Sequence, residues 1–276
     1  MVTYENGFLQ LDTGINVFYR FWKSGESKRN IIGIHGFADH SGRYAEFSRY
    51  LAENGYSVVM YDLRGHGKTA RENDVGYIKN FNYFIDDTKS FVRIMKEKLN
   101  TDRFFLYGHS MGGLIALKYA SMYGDDIDGL ISSGPALIMN TGKINRALLI
   151  AMARVSPGSR IKLPINPEYL THDKPIWKAY ISDQLVFKKP TLNLLFEMYK
   201  SSKSIWKNLH KIDSPILMLH GGEDKIVPVE ATEEAYRIIS SKDKSKKIYK
   251  GMFHEIHNEI DKITVYDDIS DWLRRH

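Results

Sequence analysis

The sequence predicts an α/β chain: a mostly parallel central sheet flanked by helices, with a helical segment inserted after the sixth strand. Three observations carry this expectation. Short apolar runs of strand length alternate with longer segments whose apolar residues recur at helical spacing, the signature of a parallel sheet covered on both faces. Two runs around the turn residues Asp12-Thr13-Gly14 precede the alternation as a hairpin, and the alternation breaks after Gly134-Pro135 to resume at Pro215. With 276 residues, 43% hydrophobic and 26% charged, the chain can build one large globular α/β domain.

The elements follow in order. Phe8 to Leu11 and Val17 to Trp22 form the expected antiparallel hairpin. Asn30-Ile31-Ile32-Gly33-Ile34 is a buried-strand candidate running into the glycine turn His35-Gly36-Phe37, in which His35 is read as a brace for the loop. Ser57-Val58-Val59-Met60-Tyr61 is a second, and the charged loop Asp62-Leu63-Arg64-Gly65-His66-Gly67 after it reads as architecture, its glycines and an Asp62/Arg64 pair holding a sharp bend. Residues 82–99 place Ile85, Thr88, Phe91, Val92, Met95 and Leu99 on one helical face. Arg103 to Tyr107 is a further strand, and Met111 to Ala120 a buried helix with small residues at its start. Helices are expected at 143–155, 175–182 and 190–200, around a loop holding Pro157, Pro164 and Pro167. Pro215 to Leu219 and a short run at 247–250 supply the last strands, and residues 263–274 the closing helix. The implied division is a core of 1–135 and 213–276 with a helical cap of 136–212.

The chemistry starts at Gly108-His109-Ser110-Met111-Gly112, a serine between two glycines, after a strand and before a helix. A serine in so tight a strand-to-helix turn has strained backbone angles, and its neighbours two positions away must lack side chains. Ser110 is therefore a candidate nucleophile. A serine hydroxyl needs a base, usually histidine, and a carboxylate that fixes the base's tautomer. Asp224 follows the strand ending at Leu219, and His254 follows the strand at 247–250, which gives the chain order serine, acid, histidine. Asp224 is preferred to its neighbour Glu223. His254 is preferred to His257, which lies in the entry to the last helix. The N–H groups of Met111 and Phe37 are candidate donors to a developing oxyanion.

Other classes are excluded or unsupported. Zero cysteines remove disulfides, thiol catalysis and cysteine-bound metal. Glu168, His172 and Asp173 show no metal-ligand spacing. No run approaches the ~18 apolar residues needed to span a bilayer, and the amino-terminal residues do not resemble a secretion signal, so a cytoplasmic location, peripheral at membranes, is expected. The net charge is +6, and its densest stretch, the lysine-rich residues 240–247, reads as a solvated turn before a strand. No aromatic residues interleave with it, so nucleic-acid binding is not expected.

Four segments, His35-Gly36-Phe37-Ala38-Asp39-His40-Ser41-Gly42-Arg43-Tyr44, Asp62-Leu63-Arg64-Gly65-His66-Gly67-Lys68-Thr69, Gly108-His109-Ser110-Met111-Gly112-Gly113 and Gly251-Met252-Phe253-His254-Glu255, occur in this order. Together they resemble the monoacylglycerol lipase and lysophospholipase group of α/β-hydrolases. The resemblance implies an α/β-hydrolase fold, the triad Ser110, Asp224 and His254, and the donors Phe37 and Met111. It implies hydrolysis of a single-chain acyl ester, a monoacylglycerol or lysophospholipid, without cofactor or metal. Asp39 stands where many relatives carry glutamate, and Thr69 where many carry serine. An esterase or thioesterase for short or aromatic acyl groups shares the same triad and stays open, as does, remotely, a non-catalytic binding protein. In the cap, Leu148-Leu149-Ile150 with Met152, and Leu192, Leu194, Leu195, Phe196 and Met198, exceed what one buried face requires. Leu149 and Leu195 are therefore candidate walls of an acyl pocket, and the cap a surface for transient membrane or micelle contact; ordinary packing is the alternative.

Overall fold

The computed structural model describes residues 1–25, 27, 29–139, 146–162 and 166–276, with no side chains at 146–149. The described elements run in the order β1 (Val2–Gln10), β2 (Asn16–Ser24), β3 (Arg29–Ile34), α1 (Ala45–Glu53), β4 (Tyr56–Tyr61), α2 (Asn82–Leu99), β5 (Phe105–His109), α3 (Met111–Tyr123) and β6 (Gly129–Ser133). Then come α4 (Arg146–Val155), α5 (Lys174–Ser182), α6 (Leu192–Ser204), β7 (Ile216–Gly221), α7 (Val229–Ile238), β8 (Lys244–Tyr249) and α8 (Lys262–Arg275). Among the described residues the strands form one eight-stranded sheet in the order β1-β2-β4-β3-β5-β6-β7-β8. The first two pairings are antiparallel and the rest parallel.

The apolar runs produce this sheet because both of its faces are covered. Successive side chains of a strand point to opposite faces, and the core divides accordingly. Ile32, Ile34, Val59, Tyr61, Leu106, Leu130 and Met218 face one side, beneath α2, α3 and α7. Ile31, Val58, Met60, Phe105, Tyr107, Ile131, Leu217 and Leu219 face the other, beneath α1 and α8. Helix α2 spans the residues its periodicity predicts and stops at Asn100, which takes the left-handed conformation (φ 48°) and returns its N–H to Glu97 and Lys96.

Two readings of the sequence need correction here. The lysine-rich stretch is a turn only up to Asp243. Lys244, Lys246 and Lys247 belong to the edge strand β8, where Lys246 pairs with Glu233, Lys247 with Asp268, and Lys244 donates to the carbonyls of Tyr236 and Ile239. Lysine on an edge strand discourages pairing with another chain. Asp62 and Arg64 do not pair with each other. Asp62 Oδ1 and Oδ2 accept the backbone N–H groups of Ser41 and Lys68, each at 2.8 Å. Arg64 reaches Asp87 on α2 at 2.7 and 2.9 Å.

Between β6 and β7 the chain leaves the sheet for α4, α5 and α6. Thr191 starts α6 by accepting the N–H of Leu194 on its hydroxyl. Leu194 and Met198 join the main core, while Leu192 and Leu195 cluster with Ala153 of α4, with Phe37 and Phe196 packed against them. The apolar surplus of this helix is thus divided between two packed faces. Leu149 lies outside the residues whose side chains are described. Met152 and Val155 are exposed.

Candidate active site

Ser110 occupies the turn between β5 and α3 with φ 54° and ψ −116°, a conformation costing about 1–3 kcal/mol for a residue with a side chain. Three backbone hydrogen bonds hold it there: Ser110 N–H donates to Ser133 (2.9 Å), and its carbonyl accepts from Leu114 and Ala136 (both 3.0 Å). The flanking glycines are dictated by contact. A Cβ on Gly108 would lie 2.3 Å from the Gly112 carbonyl oxygen, and one on Gly112 would lie 2.2 Å from that of Ile34. Gly112→Ala is accordingly expected to destabilise the fold by about 3 kcal/mol, the upper range for overpacking. Urea denaturation checks this, and a midpoint equal to that of the wild type would contradict it.

Asp224 lies just past the carboxyl end of β7. Its Oδ1 accepts the N–H groups of Ile226 (2.8 Å) and Val227 (2.9 Å), which turns Oδ2 toward His254 Nδ1 at 2.6 Å. The Asp224 side chain is fully buried and that of His254 is 4% exposed. Burial opposes ionisation of Asp224, but the His254 charge and hydrogen bonds from His220 and His254 outweigh it and hold the carboxyl well below the usual range. Burial likewise disfavours protonated His254, yet the Asp224 charge and hydrogen bond prevail and raise its pKa. Glu223 is exposed.

His254 and the serine turn meet at shared neighbours. The His254 ring packs on His109, the residue before Ser110, with centroids 4.7 Å apart. A Cβ on Gly134, next to the Ser133 that binds Ser110, would lie 3.5 Å from the His254 ring. His257 also packs on His109 at 4.7 Å, but its ring stacks on Tyr44 and, among the described residues, makes no hydrogen bond to Asp224; burial pushes it down to about 4, so it is neutral at ordinary pH. Of the two histidines that follow β8 on this loop, Asp224 meets His254.

Phe37 follows β3 at the same end of the sheet, where a Cβ on Gly36 would be 3.4 Å from Ser110 Cβ. Leu63 N–H donates to His35 Nε2 (2.9 Å), so in the neutral ring Nδ1–H donates to the Gly36 carbonyl (2.8 Å). His35 is the brace the sequence suggests. Met111 is the first residue of α3, whose leading N–H groups have no intrahelical acceptor and whose dipole is positive at this end. Leu195 is 3% exposed and belongs to the small cluster against which Phe37 packs.

The sequence did not reveal the ties between these loops and residues 166–183. Arg43 clamps the Glu255 carboxylate with two hydrogen bonds (2.8 and 2.6 Å) and reaches Asp39 at 3.2 Å. Glu255 N–H donates to Leu170 at 2.7 Å, and His40 pairs with Asp183 at 2.9 Å. Arg43 and Glu255 are 212 positions apart, so no local pattern could have joined them. His220 and Asp224 are only four apart, and a histidine before a glycine turn that leads to a candidate acid was a readable signal.

A mostly parallel sheet, a strained serine turn at the carboxyl end of β5, and a histidine–aspartate pair on the loops after β7 and β8 define an α/β-hydrolase. The model of the family described as Serine aminopeptidase, S33 matches residues 25–261, and the chain belongs to that family. It is 30% identical to a monoglyceride lipase of Homo sapiens over 94% of this chain and 87% of the relative. It is 26% identical to a monoacylglycerol lipase of Mycolicibacterium smegmatis over 95% and 94% respectively. A crystal structure of a soluble variant of monoglyceride lipase from Saccharomyces cerevisiae, in complex with a substrate analog, superposes with TM-score 0.90 at 27% identity over 100% of this chain and 96% of that one. The chain is a serine ester hydrolase.

Proposed function

We propose that the chain hydrolyses single-chain acyl esters, monoacylglycerol foremost, through an acyl-enzyme on Ser110. The observation that carries the catalytic reading is the Asp224–His254 pair packed beside the Ser110 turn. With Nδ1–H given to Asp224, His254 keeps Nε2 as the acceptor for the serine proton. Ser110 Oγ attacks the ester carbonyl, the N–H groups of Phe37 and Met111 take up the oxyanion, and His254 passes the proton to the departing alcohol. Water then repeats the cycle and releases the fatty acid. No step calls for a cofactor or metal. The choice of monoacylglycerol is supported by the names of the relatives above.

The division into a core of 1–135 and 213–276 and a cap of 136–212 belongs to the same proposal. Leu195 would wall the acyl chain, with Phe37, packed against it, joining the wall to the oxyanion site. Among the described residues no helix is long and apolar enough to cross a membrane. The exposed Met152 and Val155 of α4 suit transient contact with a lipid surface, consistent with a cytoplasmic enzyme that works peripherally.

An ester panel tests the substrate reading. Each methylene buried contributes about 0.8 kcal/mol, so C8 to C14 monoacylglycerols are expected to exceed acetyl esters in kcat/KM by at least about a hundredfold. Leu195→Asn should erode the long-chain preference more than acetyl-ester cleavage. A preference for acetyl or aromatic acyl esters would overturn the lipid reading and leave the serine-hydrolase reading intact.

Only neutral His254 can accept the serine proton. Because its pKa is raised, the protonated form persists to higher pH than for a free imidazole at about 6.5. Activity should therefore fall as pH drops through an apparent value above that figure. A kcat/KM profile with its acid limb below pH ~6 would contradict the Asp224–His254 pairing.

A further inference from the structure

Asp224 Oδ2 receives a second imidazole. His220, on β7 and wholly buried, places Nε2 3.0 Å from Asp224 Oδ2 and 3.1 Å from the Val227 carbonyl. A carbonyl can only accept, so Nε2 carries a hydrogen, shared between these two oxygens. On the other side of the ring, Nδ1 lies 2.7 Å from Thr232 Oγ1, a buried hydroxyl on α7. In the neutral ring that hydroxyl donates to Nδ1, so helix α7 sets both the orientation and the tautomer of His220. The result is a chain running from Thr232 through His220 to the oxygen that His254 uses.

We propose that His220, held by Thr232, is a positioning residue for the acid: it fixes Asp224 Oδ2 and takes up part of that oxygen's charge, so that His254 is aimed without being over-stabilised in its protonated form. The proposal rests on the reading of Ser110, His254 and Asp224 as the triad. His220 touches no reacting atom and acts through Asp224 alone. The titratable groups that face His254 are Asp224, His109 at the end of β5, Asp39 after β3, and Glu255 and His257 on its own loop. None of the others offers an N–H to Asp224 Oδ2 among the described residues, so His220 has no substitute there.

Removal of the His220 donor leaves Oδ2 to His254 alone. His220→Leu is expected to lower kcat by roughly tenfold to a hundredfold, the scale on which an outer partner orients a functional group, with KM little changed. The acid limb of its kcat/KM profile should move to higher pH, because protonated His254 then meets an undivided carboxylate. His220→Gln, which keeps an N–H donor, should recover most of kcat and bring the limb back. The downfield proton resonance of the His254–Asp224 hydrogen bond should shift in His220→Leu and in Thr232→Val. If His220→Leu does not fold, Thr232→Val decides, since it leaves the ring in place and removes what holds it: an unmoved resonance and unmoved acid limb overturn the proposal. Equal losses in the Leu and Gln variants with no movement of the limb also overturn it, leaving His220 a packing residue. Asp224→Asn, measured alongside, separates the two readings. If it stays active, the triad reading itself fails; if it is inactive while the His220 and Thr232 variants leave the profile unmoved, only this inference fails.

Discussion

Ser110→Ala is expected to lose esterase activity by about 10⁴-fold or more while the fold persists. The substitution deletes only the hydroxyl oxygen proposed as the nucleophile, and the three backbone hydrogen bonds that hold the turn are independent of it. Turnover of a chromogenic ester, with the thermal melt as a control, checks both halves. An alanine variant with tenfold-reduced activity would mean that the attack comes from another group or from water.

The second large effect lies in the choice of acid and base. Asp224→Asn should cost about 10⁴-fold in kcat, because an amide cannot hold His254 in the tautomer that leaves Nε2 free. Glu223→Gln should change little, since the Glu223 side chain is exposed. In the same assay His254→Ala should match the loss at Ser110. His257→Ala should retain base catalysis and lose stability instead, because it removes a buried ring stacked on Tyr44. Activity that survives in His254→Ala and disappears in His257→Ala would move the base by three residues.

How far the molecule was legible depends on whether its determinants are local. The serine turn was readable because its demands fall on Gly108 and Gly112, both within two positions of Ser110 and both packed against backbone. The parallel strands were readable because burial on both faces leaves unbroken apolar runs such as Ser57 to Tyr61. The edges of the sheet were not. In β1 the polar, solvent-facing Glu5 and Asn6 conceal the first half of a nine-residue strand, and in β8 the lysines read as a turn. Both strands are specified by the neighbour they pair with, information their own composition lacks. The Asp62 and Arg64 error has the same origin. Two opposite charges two positions apart suggest each other, but Asp62 points inward to collect backbone N–H groups while Arg64 reaches across to α2. The Arg43–Glu255 clamp joins loops that meet only once the sheet has formed.

Fluorophosphonate labelling of the intact protein asks whether Ser110 is, as proposed, a nucleophile activated by His254. A single adduct that peptide mapping assigns to Ser110 is expected, formed rapidly in the wild type, absent in Ser110→Ala, and strongly slowed in His254→Ala and Asp224→Asn. No adduct, or an adduct on a residue other than Ser110, would contradict it.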